Sequence, residues 1–426
     1  MITRALLTLV AAAGLALAAS APAFAAQPYP LNFKTFSFNA ADSTRSGTAL
    51  SGSSLTLASS GLASPIAYAD PFANYSNDGV DGSGNYVYGT WTSGVTTLFP
   101  FNELVSSWNA NTPAGTWIQV EVQPQIDDGH WAKWYILGRW SSSDSTFHRT
   151  SVGGQGDADG YVSIDTFFAK DHLAIAYRLR ATLYRLATSS RSPTLRRLSA
   201  IASGLTNQKM TFPSSSTMTS AIDLQVPKYS QETHHGEFPQ YDNGGEAWCS
   251  PTSTSMVVSY WSQVTGTNYD PTAAEMSWVP YADPQVDYTA RAVYDYHYNG
   301  AGNWPFNAAY AASRGLVADV TQLHSLREAE PFIRAHIPLV ASVAWNSNKL
   351  DGGIKSTNGH LLVIEGFSAD GSKVIVNDPA SPDDASVKHF YDREQFERAW
   401  IPASGGIVYL IRPAGWSTPS LTANNS

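Results

Sequence analysis

At 426 residues the chain exceeds one average domain and sets the expectation of two, each able to bury its own core. Its 26 basic and 35 acidic residues leave a net charge of −9 with no basic cluster, which argues against nucleic acid and anionic membranes as partners. The lone cysteine, Cys249, rules out an intramolecular disulfide, and 13 tryptophans and 21 tyrosines on a weakly charged chain suggest aromatic-rich β-structure.

Residues 1–25 have the layout of a secretory signal peptide. Arg4 precedes an apolar run from Ala5 to Ala19, and Ala23-Phe24-Ala25 offers a small-residue cleavage site. The run is too short and alanine-rich for a membrane span, so the expectation is a secreted, extracellular protein with no membrane partner. Residues 26–202 read as an all-β sandwich of jelly-roll-like pattern. Trp117-Ile118-Gln119-Val120-Glu121-Val122 alternates with period two, as do Leu173, Ile175, Tyr177, Leu179, Ala181 and Leu183, with Arg178 and Arg180 on the other face. Ser192 to Leu198 reads as a closing strand. Asp157-Ala158-Asp159-Gly160 is expected to be a turn rather than a calcium loop.

Residues 203–220 are Ser/Thr-rich and read as a linker. From there to residue 415 the pattern becomes α+β, and a polar tail follows at 416–426. Met256, Val257, Tyr260, Trp261 and Val264 recur at helical spacing, which predicts a helix over Ser250–Gln263 with Pro251 in its first turn. Glu328 to His336 reads as a second helix. Leu339–Trp345, His360–Phe367 and Lys373–Asp378 read as strands, the last two joined by a turn at Asp370-Gly371.

Cys249 opens the first helix, where outward N–H groups and the helix dipole favour a thiolate and the Cys249 N–H can donate to an oxyanion. The alternative is a buried cysteine acting as an apolar filler. Among the ten histidines, His360 differs in opening an apolar strand, where a sheet can present a base to the thiol. If the following turn centres near Asp370, facing residues sum to about 740. Ala380 then faces His360, and Asp378 is its diagonal neighbour on the same face. A one-residue slip would put Asn377 there instead. Gln231 upstream is a candidate side-chain oxyanion donor, with Gln240 as substitute.

Taken in order, Val226-Pro227-Lys228-Tyr229-Ser230-Gln231, Trp248-Cys249-Ser250-Pro251-Thr252-Ser253, Asn358-Gly359-His360 and Val376-Asn377-Asp378-Pro379 resemble the peptidases that process bacteriocin leader peptides, the thirty-ninth cysteine-peptidase family, and in particular their secreted relatives. The resemblance spans roughly Leu224 to Ile411. It implies a papain-like α+β fold, Cys249 as nucleophile, His360 as base, Asp378 as orienting residue and Gln231 as oxyanion donor. Two departures stand out. Ser250 replaces the usual glycine after the cysteine, and the segment 232–248 lengthens the spacing from Gln231 to Cys249. That segment brings His234 and His235, expected to contact substrate.

The sequence therefore points to a secreted cysteine peptidase acting on a peptide or protein substrate, with a carbohydrate ligand for the sandwich as a second candidate partner. No cofactor and no metal are expected, since there is no His-Glu-x-x-His and no cysteine pair. The rival readings are a non-catalytic glycan- or peptide-binding protein with a degenerate peptidase domain, and a cell-wall peptide amidase or transglutaminase using the same residues.

Overall fold

A computed structural model describes residues 29–204, 212–347 and 349–421. The signal-peptide expectation, part of the linker and the end of the tail lie outside the described residues.

The N-terminal half forms two seven-stranded antiparallel sheets. One is centred on the strands Glu103–Asn111 and Thr194–Ser203, the other on Thr116–Ile126 and Ala174–Leu186. Their inward residues, among them Trp91, Trp108, Ile118, Val120, Leu179 and Leu183, are buried. The strict alternation expected from Leu173 holds only from Tyr177 onward. Pairing with the neighbouring strand shifts between Ala174 and Ala176, and this bulge buries both alanines and leaves Ile175 half-exposed. On the outer face Arg180 grips Glu121 with two hydrogen bonds of 2.7 Å, and Arg178 bonds Gln123. Both guanidinium groups cover the Trp134 ring. Asp157 caps its own turn, accepting from the N–H groups of Asp159 and Gly160, and Lys133 pairs with its carboxylate, as a turn requires.

The C-terminal half is a third seven-stranded sheet with helices packed against it. Helix α1 (Cys249–Thr265) is buried at every position from Cys249 to Trp261. Its small polar residues are therefore bonded inward: Ser253 to Leu361 O, Thr254 to Asn307 and Ser255 to Thr289. Four more helices follow, α2 (Pro284–Val293), α3 (Trp304–Ser313), α4 (Leu326–Arg334) and α5 (Arg393–Ser404). The strands Leu339–Trp345, Thr357–Phe367 and Lys373–Asn377 lie side by side as expected.

The cores of the two halves are continuous. One apolar cluster runs from the sandwich into the α+β half. Phe306 of α3 lies between Trp140 and Trp108, with ring centroids 5.3 and 6.1 Å away. Polar contacts lock the same seam: Arg197 and Ser199 bond the buried Asp319, Asn109 bonds the Ala318 backbone, and Arg291 pairs with Asp144. The far end of the linker is also tied down, since Ser214 bonds Glu397 and Thr217 bonds Glu330. Phe306→Ala should cost about 3–5 kcal/mol. A single cooperative transition with a lowered denaturant midpoint is expected, and a loss below about 1 kcal/mol would show that the seam contributes little.

Candidate active site

The approach to Cys249 is made of tight turns. Gly244 has φ +64°, and a Cβ there would come within 1.9 Å of the His234 carbonyl oxygen, so only glycine fits. A short 3-10 turn, Gly245–Trp248, then runs into α1, and Trp248 is anchored by its indole N–H donating to Tyr241 O at 2.7 Å. No side chain caps the start of α1 among the described residues. Cys249 is 8 % exposed and faces a cleft of about 380 Å³. The cleft's walls come from both halves: Tyr298, Trp304 and Asn358 on one side, Ser163, Ile164 and Asp165 of the sandwich on the other. Asp165 pins its hairpin there by accepting from Trp304 N–H at 2.7 Å.

His360 is buried and lies edge-on to Trp345. Its Nε2 is 2.7 Å from Asp378 Oδ1. The nearby Cys249 thiol also acts on the ring, and the bond of Nε2 to Asp378 leaves Nδ1 as the nitrogen open to the sulfur. The hairpin register explains the first contact. Val363 faces Asn377 and Ile364 faces Val376, sums of 740 in both pairs. A bulge at Glu365 shifts the register only beyond that point. Asn377 therefore points to the opposite face, where its Nδ2 donates to Val226 O and Pro227 O at 3.0 and 3.1 Å. It does not reach the imidazole.

Asp378 accepts two further bonds, from the Ala380 N–H at 3.0 Å and from the Tyr391 hydroxyl at 2.7 Å. Tyr391 was not foreseen. Its only sequence signal is its place on a strand beside Lys373–Asn377, and that strand, Lys388–Asp392, was not read from periodicity. Burial opposes charge on both Asp378 and His360. The pairing of the two outweighs it, holding the carboxyl well below and the imidazole well above their ordinary ranges.

Gln231 is buried, with its backbone N–H bonded to Pro379 O at 2.9 Å, one residue beyond Asp378. Its amide nitrogen donates to Glu232 at 2.9 Å, while Oε1 has no partner among the described residues. Gln240 lies in a separate turn, where its carbonyl accepts from Tyr75. Ser250 turns away from the cleft and bonds the Tyr409 hydroxyl at 2.9 Å, so it does not crowd the thiol. The substrate contact expected of His234 is corrected, because the residue is only 1 % exposed. His148 is buried between Asp70 and Asp78, and His324 bonds Glu328 and Tyr29 O, so both are engaged elsewhere.

Two family models match the chain one after the other: peptidase C39 N-terminal domain over residues 34–203 and peptidase C39-like family over residues 223–408. No curated protein matches significantly. Among solved structures, one described as a C39-like peptidase from Bacillus anthracis is 16 % identical, covers 45 % of this chain and 98 % of its own, and has a TM-score of 0.26. Xylellain, a cysteine protease from Xylella fastidiosa, is 9 % identical over 46 % of this chain and 87 % of its own, with a TM-score of 0.29. TmCBM61, solved with β-1,4-galactotriose, is 7 % identical over 41 % of this chain and 84 % of its own, with a TM-score of 0.14. Scores this low carry no argument about geometry.

The charge pair has a pH signature. Stability from the raised His360 is full below the free-imidazole value of about 6.5 and is lost as pH rises through the shifted value. Stability from the lowered Asp378 is full above about 3.9 and is lost as pH falls through its shifted value. Asp378→Asn should move the His360 titration, followed by NMR, down toward a free imidazole, and Tyr391→Phe should move it less in the same direction. An unmoved titration in Asp378→Asn would break the assignment.

Proposed function

Since the chain belongs to the C39-like peptidase family and is a cysteine peptidase, we propose that it cleaves peptide bonds with Cys249 as nucleophile, His360 as base and Asp378 as the residue that orients the imidazole. The observation that carries this reading is the buried His360, bonded through Nε2 to Asp378 and near the thiol that opens α1.

In the proposed reaction the Cys249 proton resides on His360 Nδ1, and the thiolate attacks the scissile carbonyl carbon. The carbonyl π pair moves to oxygen. That oxyanion is held by the Cys249 N–H and by the Gln231 amide, which exchanges Glu232 for it. Collapse of the adduct breaks the C–N bond, and the leaving amine takes the proton from His360. Water, deprotonated by His360, then attacks the thioester, giving the carboxylic acid and restoring the thiol. Asp378 keeps Nε2–H as the donor throughout, so Nδ1 is the nitrogen that moves protons.

Export belongs to the same proposal and rests on residues 1–25. Carbohydrate binding by the sandwich is not part of it.

The test is turnover of a peptide library by protein recovered from culture medium with its N-terminus at Ala26. Cys249→Ala should abolish turnover, and iodoacetamide should inactivate wild type at one equivalent per chain. Gln231→Ala should lower kcat by about 10²–10³ with little change in KM. Full turnover by the alkylated protein would sink the nucleophile assignment. Transfer of the acyl group to an added amine in preference to water would favour a transglutaminase.

A further inference from the structure

The segment between Gln231 and Cys249 carries polar side chains that the proposed reaction does not use. His234 and Glu237 come from this segment, and Asp287 comes from the first turn of α2. His234 Nδ1 lies 2.7 Å from Glu237 Oε2 and 3.4 Å from Asp287 Oδ2. One ligand-capable atom from each of the three falls within 4.8 Å of the others.

Asp287 is the residue that asks for a ligand. It is fully buried, and neither of its carboxylate oxygens has a hydrogen-bond partner among the described residues. Its contact with His234 is an ion pair at 3.4 Å. The His234 Nε2 is likewise without a partner, so the ring is held through Nδ1 alone. A carboxylate taken out of water and left without donors or a full counter-charge is costly. The N-terminus of α2 adds only a fractional positive charge.

We propose that His234, Glu237 and Asp287 form a binding site for one divalent cation of the zinc class. A neutral imidazole, two carboxylates and a divalent cation sum to zero charge. Metal–ligand distances of about 2.0–2.2 Å place tetrahedral ligand atoms about 3.3–3.6 Å apart, within the spread of the three side chains here. One nitrogen and two oxygens suit zinc better than calcium, which takes six to eight oxygen ligands. The Glu237 side chain is 13 % exposed and gives the ion a way in. Sequence spacing could not show this site, because the third ligand lies far downstream on another element.

The bound ion would clamp the 232–248 segment to α2. Gly244 packs against the His234 carbonyl, and the Trp248 ring lies 5.9 Å from the His234 ring, so the clamp would fix the residues that lead into Cys249. Its role is structural, and the proposal stands apart from the peptidase reading.

The test uses the full chain with Cys249 alkylated, so that the thiol does not compete for metal. After dialysis against EDTA, zinc chloride is titrated in by calorimetry, metal content is measured by mass spectrometry, and the thermal midpoint is followed. One zinc per chain and a raised midpoint are expected. Glu237→Gln and Asp287→Asn should each weaken zinc binding by at least about tenfold. Without metal, Asp287→Asn should be at least as stable as wild type, because it removes a buried charge. If Asp287→Asn fails to fold, Glu237→Gln at the partly exposed position decides. No zinc bound, or zinc bound equally well by Glu237→Gln, overturns the proposal.

Discussion

A carboxylate sealed away from water keeps its charge only if donors surround it, and Asp378 is held by three. They come from three places in the fold: the imidazole of the neighbouring strand, the backbone of the turn that follows, and a tyrosine of the strand beyond. Hydrogen bonds to a charged group contribute about 1.5–3 kcal/mol each, whereas leaving a buried charge unpaired costs about 3–5 kcal/mol. The sheet register around Asp378 is therefore fixed by electrostatics as well as by apolar burial. One slipped residue would substitute Asn377, whose amide already ties the Val226-Pro227 backbone to the sheet.

The other half of the pair depends on α1. A helix buried around its whole circumference cannot rotate or slide without breaking its inward Ser and Thr bonds, so Cys249 is delivered to His360 with little freedom. The sandwich takes part as well. Its Ser163–Thr166 turn forms one wall of the cleft, and Phe306 joins the two cores. The N-terminal half is in this sense part of the site's architecture rather than an appendage, and substrate selection can draw on residues from both halves.

Much of this was legible in the sequence because it depends on short-range rules. Hairpin arithmetic placed Asp378 beside His360 since the turn lies only a few residues from both. The pairs nearest the turn sum to 741, and the bulge at Glu365, between the turn and His360, brings the sum to 740 where the two residues sit. What escaped reading depends on distant partners. Helix α3 is apolar nearly all round, with alanines and Phe306 buried against the sandwich, and so has no amphipathic stripe to betray it. Tyr391 and Asp287 owe their significance to neighbours on other elements. Ile175 broke the expected alternation because a bulge, invisible to periodicity, lies at that point.

The central claim is that His360 activates Cys249, and the pH dependence of Cys249 alkylation tests it most directly. A free thiol, with a pKa of about 8.5, loses reactivity about tenfold for each pH unit below that value. The account predicts that wild-type protein alkylates nearly as fast at pH 6 as at pH 8, and that His360→Ala reverts to the free-thiol slope. A wild-type rate that follows the free-thiol slope, or one indifferent to His360, would contradict it and leave Cys249 as a packing residue.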